Sequence, residues 1–260
     1  RAGDVDNDTG NGWKMKGPAR PTEGTRTNGT GSSVTPPLRG GVVLAMENLR
    51  ERLVIDADNR VAVVSAGYTN QELQDAAAQH GFFWPPDPTS AAVSTVGGNL
   101  AYNSAGPRAV KYGTPRENTL GLRAVSSRGQ AFKTGVTTTK GVVGYDLTRL
   151  LIGSEGTLAI ITEATLRLTP LADRKRTLRA LYDDLHSAAR AVSRIMAQPV
   201  VPCALEFMDR TAIRMVRNYS RLDLPESTAA LLMIEVDGST AAIDDDTARV
   251  AGVAQGDGCL

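Results

Sequence analysis

The sequence predicts an α+β protein of two domains, and three observations carry that reading. At 260 residues the chain is long enough for about two hydrophobic cores. Short β-branched runs alternate with amphipathic helical segments along most of its length. Between them lies a long neutral stretch, Pro85 to Pro107, too apolar and too poor in charge for a solvated linker. Its content of Pro, Gly, Asn, Ser and Thr argues against helix or strand. Pro85, Pro86 and Pro88 hold the backbone extended, while Gly97 and Gly98 let it approach a neighbour with no Cβ in the way. A stiff loop of this kind is either packing between subdomains or a ligand-binding segment.

Composition excludes several functions. A net charge of +1, with no block of Lys or Arg, gives no reason to expect nucleic acid. The longest apolar runs, such as Ala229 to Ile234, fall far short of a transmembrane segment. Acids and Asn-Asp-Thr occupy the amino terminus where a signal peptide needs an apolar run. Cys203 and Cys259 cannot form a disulfide framework, so a reducing, cytoplasmic setting is expected. The only two histidines, His80 and His186, fall on helical segments without nearby Cys or acidic clusters. They read as surface residues, so neither a metal site nor a serine–histidine hydrolase is expected.

Taken in order, residues 1–25 are turn-rich and lack any helix or strand period. Arg26 to Ser33 is a small-residue loop that could present successive N–H groups to a diphosphate. It lacks the third glycine of a dinucleotide fingerprint and the Gly-Lys-Ser/Thr of a phosphate-binding loop. Gly41 to Met46 reads as a strand, and so does Arg60 to Tyr68. Thr69-Asn70-Gln71-Glu72 has capping-box spacing, and the helix it opens carries Leu73, Ala76 and Ala77 on one face and stops at Gly81. After the Pro85–Pro107 stretch come Lys111-Tyr112-Gly113, a strand from Leu120 to Val125, a turn at Ser127-Arg128-Gly129 and a short partner strand. Asp146 is placed to cap a helix from Leu147 to Ile152, followed by Gly153-Ser154-Glu155-Gly156. Two strand-like runs, 159–162 and 164–168, precede Pro170. From about Thr177 the texture changes to strand 178–182, helix 185–196, strand 204–208, helix 211–219, strand 229–236 and a helix from about 240 to 254. Asp244-Asp245-Asp246 reads as a solvated helix face, since three consecutive acids point in different directions.

The order of motifs resembles the FAD-linked oxidases and dehydrogenases of the vanillyl-alcohol oxidase and p-cresol methylhydroxylase (PCMH) type. The likeness is greatest to the branch that holds glycolate oxidase and D-lactate dehydrogenase. It rests on P-D-P-T-S at 86–90, S-T-V-G-G-N at 94–99, N-S-A-G-P at 103–107, K-Y-G at 111–113, G-Y-D-L at 144–147 and G-S-E-G-T-L-A-I-I-T-E at 153–163. The resemblance runs nearly continuously from about 41 to 170. It implies an irregular segment over 1–25, a PCMH-type FAD-binding domain over 26–172 whose first subdomain is incomplete, and a truncated α+β cap domain over 173–260.

Carried over residue by residue, the resemblance sets Gly29, Thr30, Gly31 and Ser32 against the FAD diphosphate. Pro86, Asp87, Pro88, Thr89, Ser90, Thr95, Gly97, Gly98 and Asn99 resemble the segments around the ribityl chain and flavin ring. Asn103 and Gly106 correspond to the family's Asn-Ala-Gly-Gly turn, Gly113 to its Lys-Tyr-Gly element, and Glu155, Gly156, Ile160 and Ile161 to the adenine side. No His or Cys lies in these motifs, so FAD is expected to be noncovalent. The implied reaction oxidises a 2-hydroxy acid such as glycolate or D-lactate, with hydride passing to flavin N5. Partner flavin or iron–sulfur subunits, and through them a peripheral membrane location, are also implied.

Three departures stand out. Thr27 and Val34-Thr35 replace glycines of the family's first loop, the usual βαβ unit before that loop is absent from 1–25, and the chain ends within the cap. The family's histidines and carboxylate-binding basic residues would fall beyond Leu260, so the catalytic residues are unknown and little turnover is expected from the chain alone. Arg108 and Lys111 are weighed as ligands of a substrate carboxylate against plain surface charge. A non-catalytic FAD-binding or assembly module, or a defective remnant, are the alternatives.

Overall fold

Among the described residues the first strands are Leu53–Asp56 (β1) and Val61–Ser65 (β2), rich in aliphatic residues, which pair antiparallel across a tight turn. A computed structural model describes residues 44–219, 224–256 and 258–260. The described residues fall into two compact units: 44–106 with 113–170, and 107–112 with the described residues from 171 onward.

In the first unit β1 and β2 join Thr119–Ser126 (β4), Ala131–Gly135 (β5) and Ala159–Arg167 (β6) in an antiparallel sheet of order β1-β2-β6-β4-β5. One face is covered by helices Asn70–Ala78 (α1), Val96–Tyr102 (α2) and Leu147–Leu151 (α4), which bury Leu73, Ala77, Val96, Leu100 and Leu151 against Ala62, Val64, Leu122, Ala124 and Leu166. Trp84 is fully buried here, its indole N–H donating to the Asn118 carbonyl at 3.1 Å. Phe82–Phe83 (β3) pairs with Thr169–Pro170 (β7) to close the unit.

Two sequence expectations change here. The runs 159–162 and 164–168 form one strand, β6, not two. Its register against β4 passes from Ala124↔Ile161 to Arg123↔Glu163, so Thr162 is a bulge. The extra residue flips the side-chain alternation, so core positions pass from Ala159 and Ile161 to Ala164 and Leu166. That parity break makes one strand read as two. Of the expected strand 41–46, Leu44–Met46 has no regular structure, and residues 41–43 lie outside the described residues. Among the described residues the edge strand is β1, which alternates half-buried and exposed residues.

The second unit holds Ala109–Tyr112 (α3) and a three-stranded antiparallel sheet of order β8-β10-β9: Arg174–Tyr182 (β8), Ala204–Asp209 (β9) and Ala230–Gly238 (β10). Leu185–Ala197 (α5) and Ile243–Ala254 (α7) cover one face and bury Ala188, Ile195, Val250 and Ala254 against Tyr182, Leu232 and Ile234. The Tyr182 hydroxyl donates to the Ala254 carbonyl at 2.8 Å. Asp184 caps α5, its carboxylate accepting from the N–H groups of His186 and Ser187. Arg210–Tyr219 (α6) packs Ile213 with Leu224 and Leu231 on the opposite face. Of the three acids at 244–246, Asp244 is exposed and pairs with Arg176.

Candidate functional site

Helix α2 is the hub of the first unit's motif-bearing loops, and it contradicts the expectation that 85–107 contains no helix. Thr95 caps it, its hydroxyl accepting from Gly98 N–H at 3.1 Å, and Val96 and Leu100 anchor it in the core. Seven residues suffice because tertiary contacts, not propensity, hold them. Gly97 N–H donates to the Ala66 carbonyl at 3.0 Å, and a Cβ at Gly97 would stand 2.6 Å from that of Ala66. This glycine lets the helix start lie directly on the end of β2.

The proline-rich loop before α2 is held by α1. Proline removes backbone donors but keeps carbonyls, which must find partners when buried. Asn70 and Gln74, one turn apart on α1, supply them. Asn70 Nδ2 donates to Pro86 O at 3.0 Å, and Gln74 bonds Trp84 through both ends of its amide. Backbone bonds from Asn70 to Ser94 and from Gln71 to Ala91 complete the seam. Pro86 and Pro88 are buried, Asp87 and Ser90 half-buried, and Thr89 exposed. Asp87 N–H donates to Ala105 O at 2.8 Å, and a Cβ on Gly106, whose φ is +85°, would run into the Asp87 carbonyl. Only glycine suits that turn.

The C-terminal end of α2 gathers the remaining motifs. Asn103 ends the helix in the left-handed conformation, φ +60°, and its side-chain oxygen accepts from Arg116 N–H at 3.3 Å. The turn 153–156 then docks on the helix's last carbonyls: Gly153 N–H on Leu100 O at 3.0 Å and Glu155 N–H on Ala101 O at 2.9 Å. Arg116 bonds the Ile152 carbonyl through Nε and Nη2. Gly153, Glu155 and Gly156 all have positive φ. Gly113, φ +81°, turns tightly over Glu117, whose carboxylate accepts from Thr114 N–H at 2.8 Å.

Thus Pro86 to Ser90, Thr95 to Asn99, Asn103, Gly106, Gly113, Glu155 and Gly156 are linked through α2 and the segments bonded to it. Ile160 and Ile161 are successive residues of β6 and point to opposite faces; Ile161 is core, and Ile160 is exposed. Gly29, Thr30, Gly31 and Ser32 lie outside the described residues. Asn70, Gln74, Arg116 and Asn118 were not singled out from the sequence. The signal that could have found Asn70 and Gln74 is an amide pair at helical spacing just before a run of prolines.

The loop system is almost neutral and built from backbone N–H groups, carbonyls, hydroxyls and glycines. Ser90 and Ser94 each hold a buried hydroxyl oxygen with no hydrogen-bond partner among the described residues. A buried orphan hydroxyl costs about 1–3 kcal/mol. Glycine turns, exposed backbone groups and near-neutrality fit the ribityl and ring portions of a flavin.

The Lys111 ammonium pairs with Asp237 within the second unit. His80 and His186 are exposed and belong to none of the linked segments. Among the described residues no group of three or more His, Cys, Asp or Glu could hold a metal ion, and no helix is long and apolar enough to cross a membrane.

Comparison with known proteins matches residues 22–135 to the family "FAD binding domain" and residues 171–259 to "FAD linked oxidases, C-terminal domain". The chain is 40% identical over 230 residues to glycolate oxidase subunit GlcD of Bacillus subtilis, covering 88% of this chain and 48% of that protein. It is 43% identical over 212 residues to D-lactate dehydrogenase of Archaeoglobus fulgidus, covering 80% and 47%. The chain therefore spans about half the length of these relatives. Among solved structures, alkyldihydroxyacetonephosphate synthase shares the fold, with a TM-score of 0.68 at 22% identity over 83% of this chain and 42% of that one.

Proposed function

This chain belongs to the FAD-linked oxidoreductases, and from that premise we propose that it is the flavin-binding part of a 2-hydroxy-acid dehydrogenase or oxidase. FAD is its cofactor. The relatives named for glycolate and D-lactate support a small 2-hydroxy acid as the substrate, converted to the 2-oxo acid. The observation that carries the reading is the neutral, glycine-turned loop system around α2, lying within the matched FAD-binding region or bonded to it.

When bound, FAD accepts a hydride at N5. The chain's own contribution is to hold and orient. The linked segments would hold the flavin through their backbone groups, and Gly97 and Gly106 shape them by letting α2 pack closely on Ala66 and the turn at Gly106 on Asp87. Many neutral bonds of about 0.5–1.5 kcal/mol each must share the binding, which explains why several loops converge. Noncovalent binding is the reading the linked segments support, since neither a histidine nor a cysteine lies in them. A base must take the substrate hydroxyl proton. No imidazole is placed for this among the linked segments, so turnover by this chain alone is expected to be slight.

Glycolate oxidase subunit GlcD is by its name one subunit of an assembly, which supports partner subunits for this chain. It also supports a second reading, in which this chain binds FAD for assembly without turnover.

Purification followed by desalting and a visible spectrum tests the cofactor. A retained oxidised-flavin band is expected, and a colourless protein that stays so after incubation with FAD overturns the reading. Anaerobic glycolate or D-lactate then tests turnover. Rapid bleaching by the chain alone would contradict the expected low activity.

A further inference from the structure

The second unit contains a cluster that the flavin reading does not use. Segment 107–112 belongs to that unit, although the chain on either side of it, through Gly106 and from Gly113, belongs to the first. Both flanking glycines have positive φ, +85° and +81°. The segment is fixed at one carboxylate. Tyr112 OH donates to Asp237 Oδ2 at 2.7 Å, while Lys111 Nζ binds Oδ1 and also the Asp237 carbonyl, at 3.0 Å. The Asp237 side chain is only 11% exposed. Cys203 adjoins it, its thiol pushed up to about 11 by burial and then by the Asp237 and Glu235 charges, so it stays neutral. Asp237 lies at the end of β10 opposite Lys175, and Lys175 is taken by Glu235. The charges facing the carboxylate are thus Lys111, with Arg108 nearby, and Glu235 on the same strand.

We propose that Asp237 is a positioning residue: it ties the strap Pro107–Tyr112 to the second unit and thereby steadies the flavin-binding turns at Gly106 and Gly113. Its effect on flavin rests on the cofactor reading above; its hold on the strap does not. A charge-assisted pair plus a tyrosine hydrogen bond on one buried carboxylate gives a stronger tie than an exposed ion pair. The two glycines let the chain turn sharply into and out of the strap, so anchoring the strap limits the freedom of both turns.

Limited trypsin digestion of the full chain tests the tie, because cleavage after Arg108 or Lys111 requires the strap to leave its seat. In Asp237→Asn, cleavage at these two positions should rise about tenfold while cleavage elsewhere and the thermal midpoint stay near wild type. Loss of bound FAD after dilution, followed by flavin fluorescence, should quicken by about the same factor. Tyr112→Phe keeps the ion pair and should show a smaller rise at the same two sites. It also carries the test if Asp237→Asn does not fold. Unchanged cleavage after Arg108 and Lys111, or an equal rise at every site, overturns the strap. Raised cleavage with unchanged FAD release overturns the positioning role. If the wild-type chain retains no FAD, the cofactor reading fails, and the digestion alone decides the tie.

Discussion

Asn70 Nδ2 donates to the Pro86 carbonyl across 3.0 Å, and Asn70 is fully buried. This bond is one of several that fasten the proline-rich loop to the helix that precedes it. Asn70→Leu should therefore destabilise the first unit by about 1–3 kcal/mol, because the Pro86 carbonyl keeps only the longer bond from Gln74, at 3.4 Å. Urea unfolding measures it, and FAD retention should fall in parallel. A change below about 0.5 kcal/mol would show that the loop is held without this bond.

Gly106 and Gly129 make an internal comparison. Both have positive φ, but a Cβ at Gly106 meets the Asp87 carbonyl, whereas one at Gly129 meets nothing within 4 Å. Gly129→Ala should cost about 1–2 kcal/mol, the left-handed penalty alone. Gly106→Ala should cost clearly more and loosen flavin binding. Equal melting temperatures for the two variants would refute the role assigned to the Asp87–Gly106 approach.

The acid limb of stability should depend on Glu72. Its carboxyl is raised by burial but lowered more by the Thr69 N–H, the Arg50 guanidinium and the Thr69 hydroxyl, for a net downward shift. A lowered folded-state value means stability that is present above the ordinary carboxyl range and is lost as pH falls through the folded value. Glu72→Gln should flatten the fall of melting temperature between neutral and acid pH. The gain at stake is small because Glu72 is largely solvated. An acid limb as steep in the variant as in wild type would exclude Glu72 as a contributor.

At the alkaline end the sign reverses. Burial, with the Asp237 and Glu235 charges, raises Cys203 from 9.0 to about 11, and burial raises Tyr182 from 10.0 to about 12. A raised folded-state value gives stability that is complete below the unfolded value and is lost as pH climbs toward the folded one. The second unit should lose stability from about pH 9 upward. Cys203→Ala should remove the part of that slope between about 9 and about 11, as read by circular dichroism melts. An unaltered slope would mean that the thiol ionises alike in both states.

Much of the local structure around the candidate site was legible because its chemistry is local. Thr69 and Glu72 form the capping box that their spacing implies, and Asp146 accepts from Arg149 N–H at the start of α4. The Ser127-Arg128-Gly129 turn joins β4 to β5, with Gly129 at φ +75°. The motif residues from Pro86 to Gly156 mark glycine and proline positions whose backbone demands are encoded in the residue itself. Helix α2 was hidden for the same reason: Gly97 and Gly98 lower its propensity, and burial of Val96 and Leu100 overrides that.

By itself the sequence determined the α+β class, the caps, the turn glycines and the family of the cofactor site, since these depend on residue type and short spacing. Only the tertiary structure decided which distant groups meet. It set Asn70 and Gln74 against Pro86 and Trp84, docked Gly153 and Glu155 on the end of α2, and shifted the parity of β6 at Thr162. It also gave Lys111 and Tyr112 to Asp237, more than 120 positions along the chain. No local pattern encodes such a pairing. It follows from strand register and from the need of buried carbonyls and carboxylates to find donors.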